Sequence, residues 1–333
     1  MSITVKEIAK LAGVSVATVS RILNNVPSVK KSSYNKVMAI INEMGYQPNQ
    51  LAKQLRTAKS SLILVILSDI SNPFFSIILK NIENFALMQG YRIIYSSTQG
   101  STTITGETIT GELLNLIASK SIEGVISLDE ISLHPSISNF LKSIPWVLCG
   151  EKSPSHHCSS VCIDDEEASY FIVKKLIERG KRNIGLINHN LKYSFAQNRQ
   201  KGFNRALYEH SLCATSIIHV DDISFEAGAV AFDELCNAEK MLDAVFTVSD
   251  ILAFGAIHQA QQKQIKIPQN MAIIGFDDIP MSRIFTPPLS TIHQPIEEMA
   301  KVAVDLLIQK INEFDTPTQN ILLPWNFIER STH

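Results

Sequence analysis

Cysteine is scarce and odd in number: five thiols, Cys149, Cys158, Cys162, Cys213 and Cys236, are spread over 333 residues. Such a set makes no secreted disulfide framework, so all five read as free thiols. Long apolar runs are missing too. The longest purely aliphatic stretch runs from Leu62 to Leu67, far short of the roughly 18–20 residues of a membrane span. The opening MSITVKEIAK holds no signal-peptide apolar core, so a soluble, cytoplasmic protein with no membrane partner is expected. Glycine (14) and proline (13) are not abundant and hydrophobic residues reach 45%, which excludes collagen-like, low-complexity and disordered chains. A globular chain of this length holds two domains, or a large one with a small appendage.

Acidic residues are nearly absent from one region. Residues 1–60 carry nine Lys or Arg against only Glu7 and Glu43, while residues 61–333 carry 21 basic and 30 acidic residues, so the overall charge of −2 hides a basic head on an acidic body. Phosphate backbones reward local positive charge, and this asymmetry is the footprint of a nucleic-acid binder.

The head reads as helices. In T-V-K-E, Thr4 and Glu7 have capping-box spacing. The stripe Val5, Ile8, Ala9, Leu11 and Ala12 follows, and Gly13 stops it. Ser15 can cap a second helix, VATVSRILNN, with Val19, Ile22 and Leu23 inward and Val16, Ala17, Thr18, Ser20 and Arg21 outward. The short connection makes this a helix-turn-helix with the second helix as reader. A third helix from about Ser32 to Met44 closes the core with Val37, Ile40 and Ile41. On pattern alone, two amphipathic helices and a Gly turn also suit a plain all-α domain.

The run VKEIAKLAGVSVATVSRILNN, followed by GYQPNQLAKQLR, resembles the DNA-binding head of the LacI/GalR family of bacterial transcription regulators. The resemblance implies that Val16 and Ala17 read base edges in the major groove and that Arg21 contacts guanine, in keeping with a guanidinium matching O6 and N7 and small apolar groups packing on a thymine methyl. It makes Thr4, Ser15, Thr18 and Asn24 phosphate positioners and adds Tyr46 and Asn49 to the DNA-contacting set. Lys30-Lys31-Ser32-Ser33-Tyr34 departs from the family's acidic first turn at the third helix, which weakens that cap; a phosphate contact from Tyr34 is not carried over. Residues 48–60, PNQLAKQLRTAKS, are helix-compatible but too short to hold a helix alone and could be a plain linker. By resemblance they form a hinge helix that folds on operator DNA and drives Leu55 into the minor groove as a wedge.

After Ser61 the pattern becomes α/β. Strand-like runs LILVIL, YRIIYS, GVISL, VCI, NIGLIN, AVFTV and MAIIGF alternate with helical segments beginning near Phe74, Thr108, Glu166, Gln197, Glu226, Ile251 and Pro295, which argues parallel sheets with crossover helices. Ser96 to Glu112, rich in Ser, Thr and Gly, reads as a mobile loop and frayed helix start. The body resembles the two-lobed, periplasmic-binding-protein-like core of the same family. The expected organisation is an all-α head over 1–47, a hinge over 48–60 and a Rossmann-like body over 61–333. Its lobes are expected at about 61–162 plus 292–321 and 163–291 plus 322–333.

Open parallel sheets bind ligands beyond the carboxyl ends of their strands. Asp277 follows MAIIGF and Asp250 follows AVFTVS; a carboxylate at either place can accept from two vicinal hydroxyls, although Asp250 also suits a helix N-cap. The family resemblance assigns Asp277 as ligand carboxylate and Arg199 as a hydroxyl-gripping arginine. Phe74 and Phe75 can stack on a ring or serve the core, and Asp69 and Asn72 adjoin them. Tyr193 and Phe195 stand where purine-binding members carry polar base-gripping residues, so the expected effector is a sugar or nucleoside. His156-His157-Cys158 with Cys162 has metal-type donors, but lies in a loop entering a strand whose alternate residues face opposite ways. No catalytic or nucleotide-phosphate motif stands in a supporting context, and neither catalysis nor a cofactor is expected. The expected function is a homodimeric, sequence-specific regulator of double-stranded, near-palindromic operator DNA, probed against two other classes: a body that binds a partner protein, and a solute-binding protein, which the basic head argues against. The chain stops without a leucine heptad tail, hence the dimer.

Overall fold

The structure is a computed structural model that describes residues 4–23, 29–46, 60–97, 121–128, 141, 143–152, 158–213, 216–238 and 242–333. Asn24, Asn49, Leu55, nearly all of the expected hinge, the Thr108 helix start, His156 and His157 lie outside the described residues. The chain divides into two compact units, Met1–Ser60 and Ser61–His333.

The first unit holds α1 (Val5–Ala12), α2 (Val16–Leu23) and α3 (Lys31–Glu43). The Thr4–Glu7 capping box forms: Thr4 N donates to Glu7 Oε2 at 2.7 Å and Glu7 N donates to Thr4 Oγ1 at 3.4 Å. Gly13 ends α1 in the left-handed region at φ 65°, where a side chain would be strained. Ser15 Oγ accepts from Thr18 N at 3.1 Å and starts α2. The core is Ile8, Ala9, Ala12, Val19, Ile22, Val37 and Ile41. Leu11 departs from the expected stripe: it is 56% exposed, because a three-helix core this small covers only the narrow face through Ile8, Ala9 and Ala12. Lys30 precedes α3 with no side-chain cap and no acid in the first turn.

The second unit is built on two sheets. The first has six strands in the order β11-β5-β4-β3-β1-β2, all parallel. They are β1 (Leu62–Leu67), β2 (Arg92–Ser97), β3 (Gly124–Ser127), β4 (Trp146–Cys149), β5 (Ser159–Cys162) and β11 (Asn320–Leu322). Among the described residues its helices include α4 (Pro73–Met88) and α10 (Ile296–Asn312), which pack on each other. LILVIL reads as one apolar run because both faces of β1 are covered: Ile63, Val65 and Leu67 join the main core, and Leu64 and Ile66 a second cluster with Val125 and Ile144. β2 extends to Ser97, so Ser96 and Ser97, expected in a loop, belong to the strand, and 98–112 lie outside the described residues.

The second sheet has the order β7-β6-β8-β9, again parallel, from β6 (Ile184–His189), β7 (Ile217–Val220), β8 (Ala244–Thr247) and β9 (Ala272–Ile274). α5 (Asp165–Glu178) packs with α6 (Ser194–Glu209), and α7 (Phe225–Ala238) with α8 (Asp250–Gln262). α5 starts where Asp164 accepts from Glu167 N at 3.0 Å, with three acids in its first turn. Gly202 allows α6 to cross α5 closely: a Cβ there would sit 2.1 Å from Glu166 O. A short turn α9 (Met281–Ile284) leads to β10 (Thr291–His293), which pairs antiparallel with β12 (Asn326–Ile328). The chain passes between the sheets three times: after β5, between β10 and α10, and between β11 and β12. Sheet one therefore draws on residues before 163 plus α10 and β11, and sheet two on the rest of the body.

β4, β7, β10, β11 and β12 were not expected from sequence. WVLC and IIHV are four-residue strands, too short to show alternation.

Candidate functional site: the inter-lobe crevice and the reading helix

The carboxyl ends of both sheets face one open crevice of about 690 Å³, solvent mouth included. The first lobe supplies Ser68, Asp69, Asn72, Phe74 and Phe75 after β1, Leu128 after β3, and Gly150 and Glu151 after β4. The second supplies His189, Tyr193, Phe195 and Arg199 around the end of β6, Val248 and Ser249 after β8, Asp277 after β9, with Ile223; Gln294 comes from the second crossover. Eight of the nine ligand candidates read from sequence are thus brought together.

The ninth, Asp250, is corrected. It lies fully buried outside the lining, at the first position of α8, whose N-cap is Ser249. Asp250 Oδ1 accepts from Thr291 Oγ1 at 2.5 Å, and Oδ2 accepts from Ser282 Oγ at 2.6 Å and Ile279 N at 3.0 Å. Those donors turn the carboxylate into a tie between α8, α9 and β10 and leave it out of reach of a ligand. Burial holds its carboxyl well above the usual range, followed by the nearby Asp277 charge.

Asp277 stays in the crevice because the chain turns sharply after β9, with Asp277 at φ 121° and Asp278 at φ 57°. Its backbone N–H donates to Ile292 O at 2.9 Å. Its carboxylate accepts from Gln294 Nε2 at 2.8 Å and Ser249 Oγ at 3.2 Å. Burial pushes the carboxyl up to about 6, against the opposing pull of the Arg199 charge and of the Gln294 and Ser249 hydrogen bonds. Arg199, 5% exposed, meets Asp165 Oδ1 through Nε and Nη2, both at 2.8 Å, and donates from Nη1 to Val248 O at 2.6 Å. Its guanidinium lies 3.6 Å from the Phe276 ring centroid. Asn72 caps α4 by accepting from Phe74 N at 3.0 Å, which orients Phe74 and Phe75 edge to face at 5.5 Å.

Nine lining residues escaped the sequence reading, Glu151, His189, Ser249 and Gln294 among them. Glu151, 3% exposed, accepts a hydrogen bond across the crevice from Ser194 Oγ; Gly150 before it sits at φ 105°, a turn that a side chain resists. Its signal was the strand WVLC, itself missed. His189 closes β6, with its ring against Tyr193 at 4.6 Å and burial lowering its imidazole below the usual value. Ser249 and Gln294 complete these four; Gln294 sits in the PPLSTIHQP motif without an assigned role.

In the head, Val16, Ala17 and Arg21 share the exposed face of α2, opposite Val19 and Ile22. Val16 is 45% exposed, an open apolar group on a helix whose first turn carries no acid. Thr4 and Ser15 are exposed and Thr18 half-buried near the two helix starts, while Tyr46 packs against the head core. Cys158 and Cys162 are buried, and among the described residues no group of His, Cys, Asp or Glu could hold a metal ion. Among the described residues no helix is long and apolar enough to cross a membrane.

A helix-turn-helix unit joined in one chain to a two-lobed α/β body with a polar crevice defines the class of DNA-binding regulators with a ligand-binding body. Residues 4–49 match the family model for bacterial regulatory proteins of the lacI family, and residues 173–333 match a periplasmic binding protein-like domain. The chain is 32% identical to catabolite control protein A of Priestia megaterium over 97% of both proteins. It is 32% identical to the ribose operon repressor of Haemophilus influenzae over 95% of this chain and 93% of that protein. The lac repressor dimer bound to operator and the anti-inducer ONPF shares the fold, with a TM-score of 0.86 at 24% identity over 100% of this chain and 99% of that one. The chain belongs to the LacI family of bacterial regulatory proteins and is a DNA-binding transcription regulator.

Proposed function

We propose that the protein is a homodimeric repressor, acting in the cytoplasm on a near-palindromic operator, whose DNA affinity is set by a sugar or nucleoside in the inter-lobe crevice. The observation that carries this reading is the composition of the crevice: polar and aromatic side chains converge from both lobes, Glu151 and Phe75 from one, Asp277 and Tyr193 from the other. A ligand held by both walls favours one relative orientation of the lobes, which is how a small molecule biases a two-state regulator. Asp277 accepts hydroxyl donors; Phe74, Phe75, Tyr193 and Phe195 offer ring faces. The proposed role is binding: the Ser194 and Ser249 hydroxyls donate to the Glu151 and Asp277 carboxylates.

Residues 1–47 form the reading head, 48–60 the hinge whose Leu55 enters the minor groove, as the family resemblance implies, and 61–333 the effector body with the two lobes bounded as above. Val16, Ala17 and Arg21 read base edges, and Thr4, Ser15, Thr18, Asn24, Tyr46 and Asn49 position the backbone.

Operator selection followed by anisotropy titration with and without sugars and nucleosides tests the whole reading. A bound effector at 100 times its Kd also stabilises the body by about 2.7 kcal/mol in a thermal-shift assay. Arg21→Ala is expected to weaken operator binding by about 1–3 kcal/mol and to relax preference at one base pair per half-site. Equal loss on operator and random DNA would instead make Arg21 a phosphate contact.

A further inference from the structure

His189 is a crevice residue whose chemistry the fold alone does not call for. It ends β6, is 3% exposed and is held firmly in place. Its N–H donates to Asn188 Oδ1 at 2.8 Å, and Asn188 Nδ2 in turn donates to Ala196 O at 3.1 Å and Gln200 Oε1 at 3.0 Å on α6. The imidazole meets the Tyr193 ring edge to face at 4.6 Å and the Phe195 ring tilted at 5.8 Å. Packing of this kind needs only a ring, and phenylalanine would supply one, as it does at Phe195. Histidine instead brings two polar nitrogens into a buried position, which costs free energy unless they find partners.

Nδ1 is enclosed by protein and has no hydrogen-bond partner among the described residues. Nε2 is therefore the ring atom left to meet a ligand in the crevice that His189 lines. Burial lowers the imidazole below its usual value, so near pH 7 it is neutral and offers a hydrogen bond and no charge. Whether Nε2 donates or accepts depends on the tautomer, and a hydroxyl serves in either case, whereas a carbonyl or an ammonium serves in only one. Neighbouring polar groups have other engagements: Asp69 accepts from the Ser71 N–H and hydroxyl, Arg199 donates to Asp165 and the Val248 carbonyl, and Ser249 and Gln294 donate to Asp277.

We propose that His189 is a specificity-determining residue of the crevice, whose Nε2 pairs with one hydroxyl of a polyhydroxylated ring ligand, separate from the hydroxyls that meet Asp277. This rests on the crevice being the effector site. Because Tyr193 and Phe195 fix the imidazole, the nitrogen cannot follow a displaced hydroxyl. The position of that group on the ligand ring is then what the crevice selects, since a site built to bond a hydroxyl rejects the analogue that lacks it.

Isothermal titration of the full chain at pH 7 tests it with glucose, galactose, ribose, uridine and adenosine, and then with every monodeoxy form of the tightest binder. His189→Phe keeps a ring and removes both nitrogens; it is expected to weaken binding of that probe roughly tenfold or more. One monodeoxy form is expected to bind wild type about as weakly and to lose nothing further in His189→Phe, the signature of one contact broken from either end. His189→Leu, with neither ring nor nitrogen, repeats the cycle on a second side chain and stands in where the phenylalanine variant fails to fold. An equal loss for the intact probe and every monodeoxy form would make the ring a packing element and overturn the proposal. An intact probe that binds His189→Phe as tightly as wild type would overturn it too, and in both cases the crevice stays as effector site. Silence of every probe with wild type would overturn the proposal and count against the effector reading itself.

Discussion

Arg199→Leu is expected to lower the stability of the body by about 3–5 kcal/mol, the range for breaking a buried ion pair from one side. The guanidinium is 5% exposed, holds Asp165 through two nitrogens and lies on the Phe276 ring. Its removal leaves Asp165 and Asp277, both buried, without a cation. Burial already lifts both carboxyls above their ordinary value against the pull of Arg199. Without that pull they rise further, and the sign of the pH dependence follows. A carboxyl whose folded value lies above its unfolded one favours the folded state only when protonated, so the variant's deficit is largest at high pH and shrinks as pH falls through the raised value. Urea unfolding of wild type and variant at pH 8 and pH 5 reads this directly. Adding Asp165→Leu should restore most of the loss, because replacing both members of a buried pair by apolar groups is often neutral. A deficit equal at both pH values, or no recovery in the double variant, would mean that Arg199 acts by packing on Phe276 alone.

The sequence made some of this legible because the physics was local. The Thr4–Glu7 box and the Ser15 cap each close within three residues. LILVIL announced a strand because both of its faces are covered. Asp250 shows where local reading ends. It stands at a strand end as a ligand carboxylate would, but its three donors come from positions 279, 282 and 291, and nothing near residue 250 reveals them. Leu11 shows the same limit in the head: helical spacing places it on the apolar stripe, yet only tertiary packing decides how wide a stripe is covered. Glu151 was lost with β4, a strand of four residues after Pro145. What made Glu151 a crevice residue is the glycine turn before it and the Ser194 hydroxyl from the opposite lobe, neither of which has a sequence period.

Asp277→Asn is expected to stabilise the ligand-free body and to abolish its response to effector, two effects with one cause. Asp277 is 6% exposed and its carboxyl is raised to about 6 from an ordinary 3.8. Each pKa unit corresponds to about 1.4 kcal/mol, so the charge costs the folded state up to about 3 kcal/mol once ionised. For an acid raised on folding, that cost is absent below the unfolded value, grows between about 4 and 6, and is complete above 6. Asparagine keeps the size, still accepts from Gln294 and can place its amide against the Ser249 oxygen, while removing the charge. Thermal unfolding of the variant should therefore exceed wild type at pH 8, with the gap closing toward pH 4. Operator affinity without effector should stay near wild type, since the head is a separate compact unit. The effector that shifts wild-type operator affinity should no longer do so, because an amide returns one acceptor where the carboxylate offered two oxygens to paired hydroxyls. Equal stability of both proteins at pH 8 would show that Gln294, Ser249 and Arg199 already offset the burial of the charge. A normal effector response in Asp277→Asn would make the carboxylate a structural clamp on the second crossover through Gln294, and would move the ligand to other groups on the crevice wall.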